Sequence, residues 1–310
     1  MNTHSQENSS SSAPDKVLAG IWWRVIIIWI VVMILRCAAS FLVLFCLVGQ
    51  TTAYSQTQHR TPFKAGEVLR YKVKWTFIRL GTVVIRQLPA DSTDTTAFLL
   101  EMSVHSAPAL PFINVNFLNS TYLTTISQSV ALETIVSGEN SSQRTTYRYD
   151  SANLQILMED SADGKLVKRD SVKAAAPCYD ALGLLMFSRG MIGTGDTITL
   201  PTLNDYRISP TEVTYPEKSE EIEGAAVDHP LRCKRVVGVA KWVGASFAGM
   251  KGPFTGWLSD DEAAIPVRAE VKIFLGSIVL ELESYERPGW SQGQCFAHIA
   301  QEQQNKENNP

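Results

Sequence analysis

Phe63-Lys64-Ala65-Gly66-Glu67-Val68-Leu69-Arg70-Tyr71-Lys72-Val73-Lys74-Trp75 alternates with a period of two. Glu67, Leu69, Tyr71, Val73 and Trp75 share one face, and Val68, Arg70, Lys72, Lys74 and Thr76 share the other. Successive side chains of a strand point to opposite faces, so this is the pattern of a half-buried β-strand. Gly81 then opens Thr82-Val83-Val84-Ile85-Arg86, a second strand. The link from Phe77 to Gly81 reads as a hairpin, although it lacks an Asn-Gly turn.

The same rhythm continues along the chain. Candidate strands fall at 97–104, 118–127, 131–137, 143–149, 154–159 and 165–172, then at 197–200, 206–214, 231–239, 255–258, 267–274 and 277–285. The separators are turn formers, such as Asp91-Ser92-Thr93-Asp94, Ser137-Gly138-Glu139-Asn140 and Asp160-Ser161-Ala162-Asp163-Gly164. One segment breaks the pattern. Asp180 leads into Ala181-Leu182-Gly183-Leu184-Leu185-Met186-Phe187-Ser188-Arg189, and Gly190 follows. This predicts a helix with Asp180 as N-cap, Gly190 as C-cap and Arg189 complementing the helix dipole. It is apolar nearly all round, hence buried. The expected fold is all-β: a single antiparallel, strongly curved sheet or an open barrel or sandwich, with one buried helix around 180–190.

The chain has 310 residues, 45% hydrophobic and 19% charged, with a net charge of -3. Neither a nucleic-acid footprint nor a polybasic membrane patch is present. Residues 1–55 differ from the rest: a Ser-rich start precedes two apolar runs, 21–35 and 37–49, separated by Arg36. Read as one transmembrane helix, the segment carries a charge at its middle, which costs about 2.5–3.5 kcal/mol. Read from Met33, it is a signal peptide with Arg36 in its basic start, an apolar stretch at 38–48 and Ala53-Tyr54-Ser55 as a cleavage site. Both readings place residues from about 56 onward outside the cytoplasm, one of them with an uncleaved membrane anchor. Contact with the membrane is expected only through this segment. A β-rich domain spans 56–287, and a Gln/Asn-rich tail, 288–310, is expected to be disordered.

Chemistry-bearing patterns are sparse. His59, His105, His229 and His298 show no ligand spacing. Cys37 and Cys46 lie in the targeting segment, while Cys178, Cys233 and Cys295 allow one internal bridge at most, Cys178–Cys233, or three free thiols. Ser259-Asp260-Asp261-Glu262 is either a calcium-binding cluster or a hairpin turn, and it has neither the length nor the Gly of an EF-hand loop. Gly244-Ala245-Ser246-Phe247-Ala248-Gly249 departs from a nucleophile elbow, and Lys251-Gly252-Pro253-Phe254 reads as a mobile loop. Asp180 is either a cap or a buried general acid. Tyr71, Trp75, Phe77, Trp242, Phe247, Phe254 and Trp257 either fill a core or line an apolar pocket.

Several segments together resemble a bacterial exported family, domain of unknown function 3108. The opening from Phe63 to Trp75, with Ile78-Arg79-Leu80-Gly81, is similar to its F-x-x-G-E-x-L-x-Y-x-V-x-W and I/L-x-x-G pattern. Asp180 to Arg189 resembles its D-x-x-S-x-x-Y-x-x-R element, with Gly183 in place of Ser and Met186 and Phe187 near the aromatic. Gly256-Trp257-Leu258-Ser259-Asp260-Asp261 and Ile265-Pro266-Val267 resemble its closing W-L-S-D-D and I-P-V hairpin. The resemblance implies an exported β-rich domain in the periplasm or at the outer membrane of a Gram-negative bacterium, or anchored to its inner membrane, and no activity. It marks Gly66, Glu67, Gly81, Asp180, Arg189, Asp261 and Pro266 as structural motif positions.

The leading functional expectation is a non-enzymatic envelope module that binds a lipid or other apolar small molecule near Tyr71, Trp75 and Trp257, with no cofactor, metal or nucleic acid. Its alternatives are a structural or protein-interaction module and a carboxylate-based hydrolase.

Overall fold

A computed structural model describes residues 62–89, 98–108, 115–138, 141–204, 206–223, 226, 230–240, 252–273 and 276–290. The targeting segment, His59, His229, His298, Cys295, Trp242, Phe247, the 244–249 stretch and the tail from 291 onward lie outside these residues. Among the described residues no helix is long and apolar enough to cross a membrane. Gln56–Pro310 forms one compact unit, and every core residue named below lies within it.

The strands are β1 (Val68–Trp75), β2 (Ile78–Pro89), β3 (Phe98–Ser106), β4 (Asn116–Leu123), β5 (Ser129–Ser137), β6 (Ser142–Asp150), β7 (Gln155–Ala162) and β8 (Lys165–Lys173). Helix α1 (Ala181–Met191) follows, then β9 (Thr197–Asn204), β10 (Arg207–Thr214), β11 (Ser219–Ile222), β12 (Leu231–Ala240), β13 (Gly252–Ser259), β14 (Pro266–Lys272) and β15 (Ser277–Glu286). They form one antiparallel sheet in the order β8-β7-β6-β5-β4-β3-β2-β1-β15-β14-β13-β12-β10-β9, with β11 added beside β12. The first and last strands meet at its centre, where Tyr71 pairs with Leu282.

The expected curved sheet with a single buried helix is therefore the observed fold. The sheet does not close into a barrel by hydrogen bonds. Its two ends overlap face to face instead. Leu203 of β9 pairs with Ile208 of β10, and both pack against Tyr147, Tyr149, Ile156, Met158 and Val172 of β6 to β8. Leu200 and Val213 lie on the opposite face of the same two strands and pack against α1. The β9–β10 pair is thus covered on both sides. The segment ahead of α1 fastens this overlap: Ser129 N donates to Cys178 O, Tyr179 N to Pro201 O and Leu203 N to Tyr179 O.

Helix α1 fills the concave side, with nine buried residues. Leu182 and Met186 join Leu69, Val83, Ile85, Leu100 and Leu282 in one cluster, while Leu184, Phe187 and Met191 join Val213, Tyr215 and Val236 in another. Asp180 is the N-cap, as its side chain predicts. Gly190 is not the C-cap. It is buried inside the last turn, and Ile192 ends the helix.

Three further expectations change. The first hairpin turns at Thr76-Phe77, so β2 starts at Ile78 rather than Gly81. The Gly252-Pro253-Phe254 stretch is the start of β13 rather than a loop. Asp160, Ser161 and Ala162 belong to β7, and only Asp163-Gly164 turns. The chain also stays packed past 287, because the Trp290 ring meets Tyr285 edge-on at 4.6 Å.

Two glycines separate tight from open backbone. A Cβ on Gly81 would lie 2.3 Å from the carbonyl oxygen of His105, a backbone atom that cannot turn away. A Cβ on Gly256 would find its nearest neighbour at 3.7 Å. Gly81→Ala is expected to lower unfolding stability by about 1–3 kcal/mol. Gly256→Ala is expected to be neutral or to raise it by about 0.4–1 kcal/mol, through the unfolded chain. Urea denaturation of both variants checks the pair.

Candidate functional site

Gly66, Glu67, Arg189 and Pro266, four of the motif positions, converge on one buried knot. Gly66, at φ +86, turns the chain so that Glu67 enters the core just ahead of β1. The Glu67 carboxylate is fully buried. Arg189, on the last turn of α1, grips it with both terminal nitrogens, at 2.6 Å to Oε1 and 2.9 Å to Oε2. The same guanidinium donates to Ala263 O at 2.8 Å. Arg287, just after β15, donates to Glu67 Oε2 and, at 3.0 Å, to Pro62 O. The Gln87 amide also donates to Glu67, and its oxygen accepts from Lys64 N at 2.8 Å. A bidentate arginine–carboxylate pair is strong and directional. Buried, it needs further hydrogen bonds to offset desolvation; the four donors occupy both carboxylate oxygens, while the buried Arg189 Nε has no partner among the described residues.

Tyr71 and Pro266 join the same region, with Tyr71 OH donating to Pro266 O at 3.0 Å. Burial pushes the Tyr71 phenol above its ordinary value, Arg189 pulls against that shift and Glu67 adds to it. Asp261 shapes the loop beyond. Its Oδ1 accepts from Ser259 Oγ at 2.8 Å, Ala263 N at 3.0 Å and Ala264 N at 2.9 Å. Its Oδ2 accepts from Trp290 Nε1 at 2.7 Å. The Ser259–Glu262 cluster is therefore a hairpin turn between β13 and β14 whose Asp261 oxygens are spent on protein donors. Among the described residues no cluster of His, Cys, Asp and Glu is arranged to hold a metal ion.

Asp180 forms a second knot. Its Oδ1 accepts from Gly183 N and Ser129 Oγ, both at 2.7 Å, and its Oδ2 from Thr121 Oγ1 at 2.7 Å. The carboxylate is buried and satisfied, so it caps the helix and ties it to β4 and β5.

Over residues 70–283 the chain matches the family described as protein of unknown function (DUF3108). The chain belongs to the DUF3108 family. Among solved structures, a β-barrel-like protein of domain of unknown function DUF1849 from Brucella abortus is similar at 10% identity and a TM-score of 0.47, over 73% of this chain and 98% of that one. No curated protein matches this DUF3108 chain.

Gly183 sits in a confined position. A Cβ on Gly183 would lie 2.6 Å from Ser127 O and 2.9 Å from Ser129 Oγ. The Ser129 hydroxyl already occupies that space and itself bonds Asp180. The closest of these atoms is a backbone oxygen, so any side chain at 183 requires the backbone at Ser127 to shift.

The three aromatic candidates separate. Tyr71 is sealed in the core. Trp75 lies on the same inward face by strand alternation and is half-buried. Trp257 lies on the outward face. It packs with Leu231 and Cys233, donates to Glu220 Oε1 at 2.6 Å and carries the Arg268 guanidinium 5.5 Å from its ring centroid. An open cleft of about 470 Å³ nearby is lined by Glu217, Glu220, Glu221, Arg232 and Lys234, a mixed-charge wall. His105 is exposed on β3.

Sequence reading missed Gln87, Arg287, Trp290, Thr121 and Ser129. Each is an ordinary polar or terminal residue until the sheet brings it to a buried carboxylate, so no local signal marks it.

Arg189→Met, which strands Glu67 beside Arg287 alone, is expected to cost about 3–5 kcal/mol in urea unfolding. Arg189→Lys should recover little of that, because an ammonium cannot make the bidentate grip. Cys178 and Cys233 are buried free thiols. Burial pushes Cys178 up to about 11 and, with Asp261 and Asp260 nearby, raises Cys233 as well. Both should resist iodoacetamide at about pH 8 and label fully in urea, read by peptide mass mapping. A folded value above the unfolded one, about 8.5, means that stability is complete below pH 8.5 and falls as pH climbs toward 11.

Proposed function

We propose that this DUF3108 domain is an exported, non-enzymatic envelope module that holds an apolar, lipid-like ligand on the inward face of its sheet. The supporting observation is a contrast between the two ends of that face. At one end α1 and the Glu67 knot fill the concavity. At the other, two paired rows cross four strands: Val73, Leu280, Ala269 and Gly256, then Trp75, Ile278, Val271 and Phe254. Every residue of these rows is apolar or glycine, and every one is only partly buried. A curved wall of half-covered apolar side chains suits an acyl chain better than it suits water.

A hydrolase finds less support. Glu67, Asp180 and Asp261 have their oxygens engaged by protein donors, and Glu67 and Asp180 are sealed from solvent. An interaction module draws on the free edge of β8, where Leu166 and Val167 are 53% and 68% exposed. The Lys165, Lys168, Arg169 and Lys173 side chains on that edge work against casual strand addition.

Native mass spectrometry with lipid extraction, on the chain from Gln56 purified from a bacterial periplasm, tests the reading. A reproducible lipid adduct is expected, and Ile278→Glu should abolish it without lowering the melting temperature. A clean apo mass that gains nothing from envelope extract would sink the ligand reading.

A further inference from the structure

Phe77 is 91% exposed, the most exposed large apolar side chain among the described residues. It sits in the two-residue turn between β1 and β2, closed by the Trp75–Ile78 pair. Such turns favour Asn-Gly or Gly at positive φ. Here Thr76 takes φ 54 instead, a region that a β-branched residue enters only at a cost. Its hydroxyl donates to Trp75 O at 2.6 Å, which holds the turn. Two local rules are thus broken at one tip: a strained threonine and a large apolar side chain in water. Departures of this kind concentrate where function requires them.

The tip has a definite place. Trp75 pairs with Ile278 across β1–β15, so Thr76-Phe77 projects from the end of the half-covered Trp75–Ile278–Val271–Phe254 row. The neighbouring cations are already matched: Lys74 donates to Glu281 at 2.7 Å, and Arg79 to Glu283 at 2.7 and 2.9 Å. Whatever Phe77 meets is therefore met by apolar contact rather than by charge. One aromatic side chain buries about 150–250 Å². A stable protein interface needs about 800 Å² per partner, with shaped complementarity. A lipid surface needs neither, and an aromatic ring at its boundary is a common anchor.

We infer that Thr76-Phe77 is a lipid-inserting tip, which sets the apolar row of the inward face against a bilayer surface so that the ligand passes between them. This rests on the apolar-ligand reading above. The occupant is a lipid bilayer, with contact independent of anionic headgroups and of salt.

The test places 4-fluorophenylalanine at position 77, and separately at Tyr122, in the full chain reconstituted into phosphatidylcholine vesicles containing nitroxide-labelled lipid. Tyr122 is 39% exposed on β4 and serves as the off-tip control. The fluorine signal at 77 should broaden beyond detection, at low and high salt alike, while that at 122 stays sharp. A signal at 77 broadened only by a water-soluble relaxation agent overturns the inference. So does broadening without lipid that grows with protein concentration, which would assign the tip to a second copy. Replacing Thr76 by Gly should leave the lipid broadening intact while raising stability, which separates the ring's role from turn strain. Failure here with a lipid adduct still present in native mass spectrometry would leave the ligand reading standing. Insertion at 77 with no adduct would remove the ligand reading and keep the anchor.

Discussion

A carboxylate with no access to water must be neutralised where it stands, and much of this fold is arranged around that requirement at Glu67. Two guanidinium groups reach it, one from α1 and one from the chain leaving β15. The Gln87 amide donates to it as well, and the Ala263 and Pro62 carbonyls accept from the two guanidinium groups. Such a site adds little net stability over an apolar core of equal volume, because desolvation consumes most of the Coulomb gain. Its value is positional. A helix shifted by one residue would withdraw Arg189 and its bidentate grip from a buried carboxylate, so the site selects one register for α1 against the sheet.

The same logic explains why a single short helix suffices. Asp180 pins its start to β4 and β5, and Arg189 pins its end to the strand pair at the sheet's centre. Between the pins, two faces of α1 address two separate apolar clusters. The sheet can then curl around the helix without a hydrogen-bonded seam. Its ends lie over one another through Leu203, Ile208, Ile156 and Met158, an arrangement that hides two strands on both faces.

Much of this was readable from the chain, and what was not has a physical reason. Period-two alternation located fourteen of the strands, because one face of each is apolar. It missed Ser219–Ile222, whose Ser-Glu-Glu core carries no such alternation and which pairs only because β12 is beside it. It placed Pro253 in a loop, since proline cannot donate to a ladder, yet β13 accommodates it. It ended α1 at Gly190, whereas packing against the second cluster carries the helix to Met191. Glu67, Arg189, Asp180, Asp261 and Pro266 were legible as motif positions. That Glu67 and Arg189 meet was not, because they are 122 residues apart and no local pattern encodes a tertiary pair. Trp257 was grouped with Tyr71 and Trp75 as an aromatic, and only the register shows it on the other side of the sheet.

The pairing of β1 with β15 sets a schedule for the chain. The strands at the centre of the sheet are its first and its last, and Glu67 waits for a partner 220 residues downstream. Closing so long a loop brings no contact energy until its end arrives, and chains dominated by such distant pairings assemble slowly. A chain emerging amino-terminus first can form the β2–β8 meander early, yet Glu67 gains its second guanidinium only when Arg287 has emerged. Completion is therefore coupled to delivery of the whole polypeptide, and a chain interrupted short of its final strand lacks Arg287 at Glu67 and keeps an unpaired central edge.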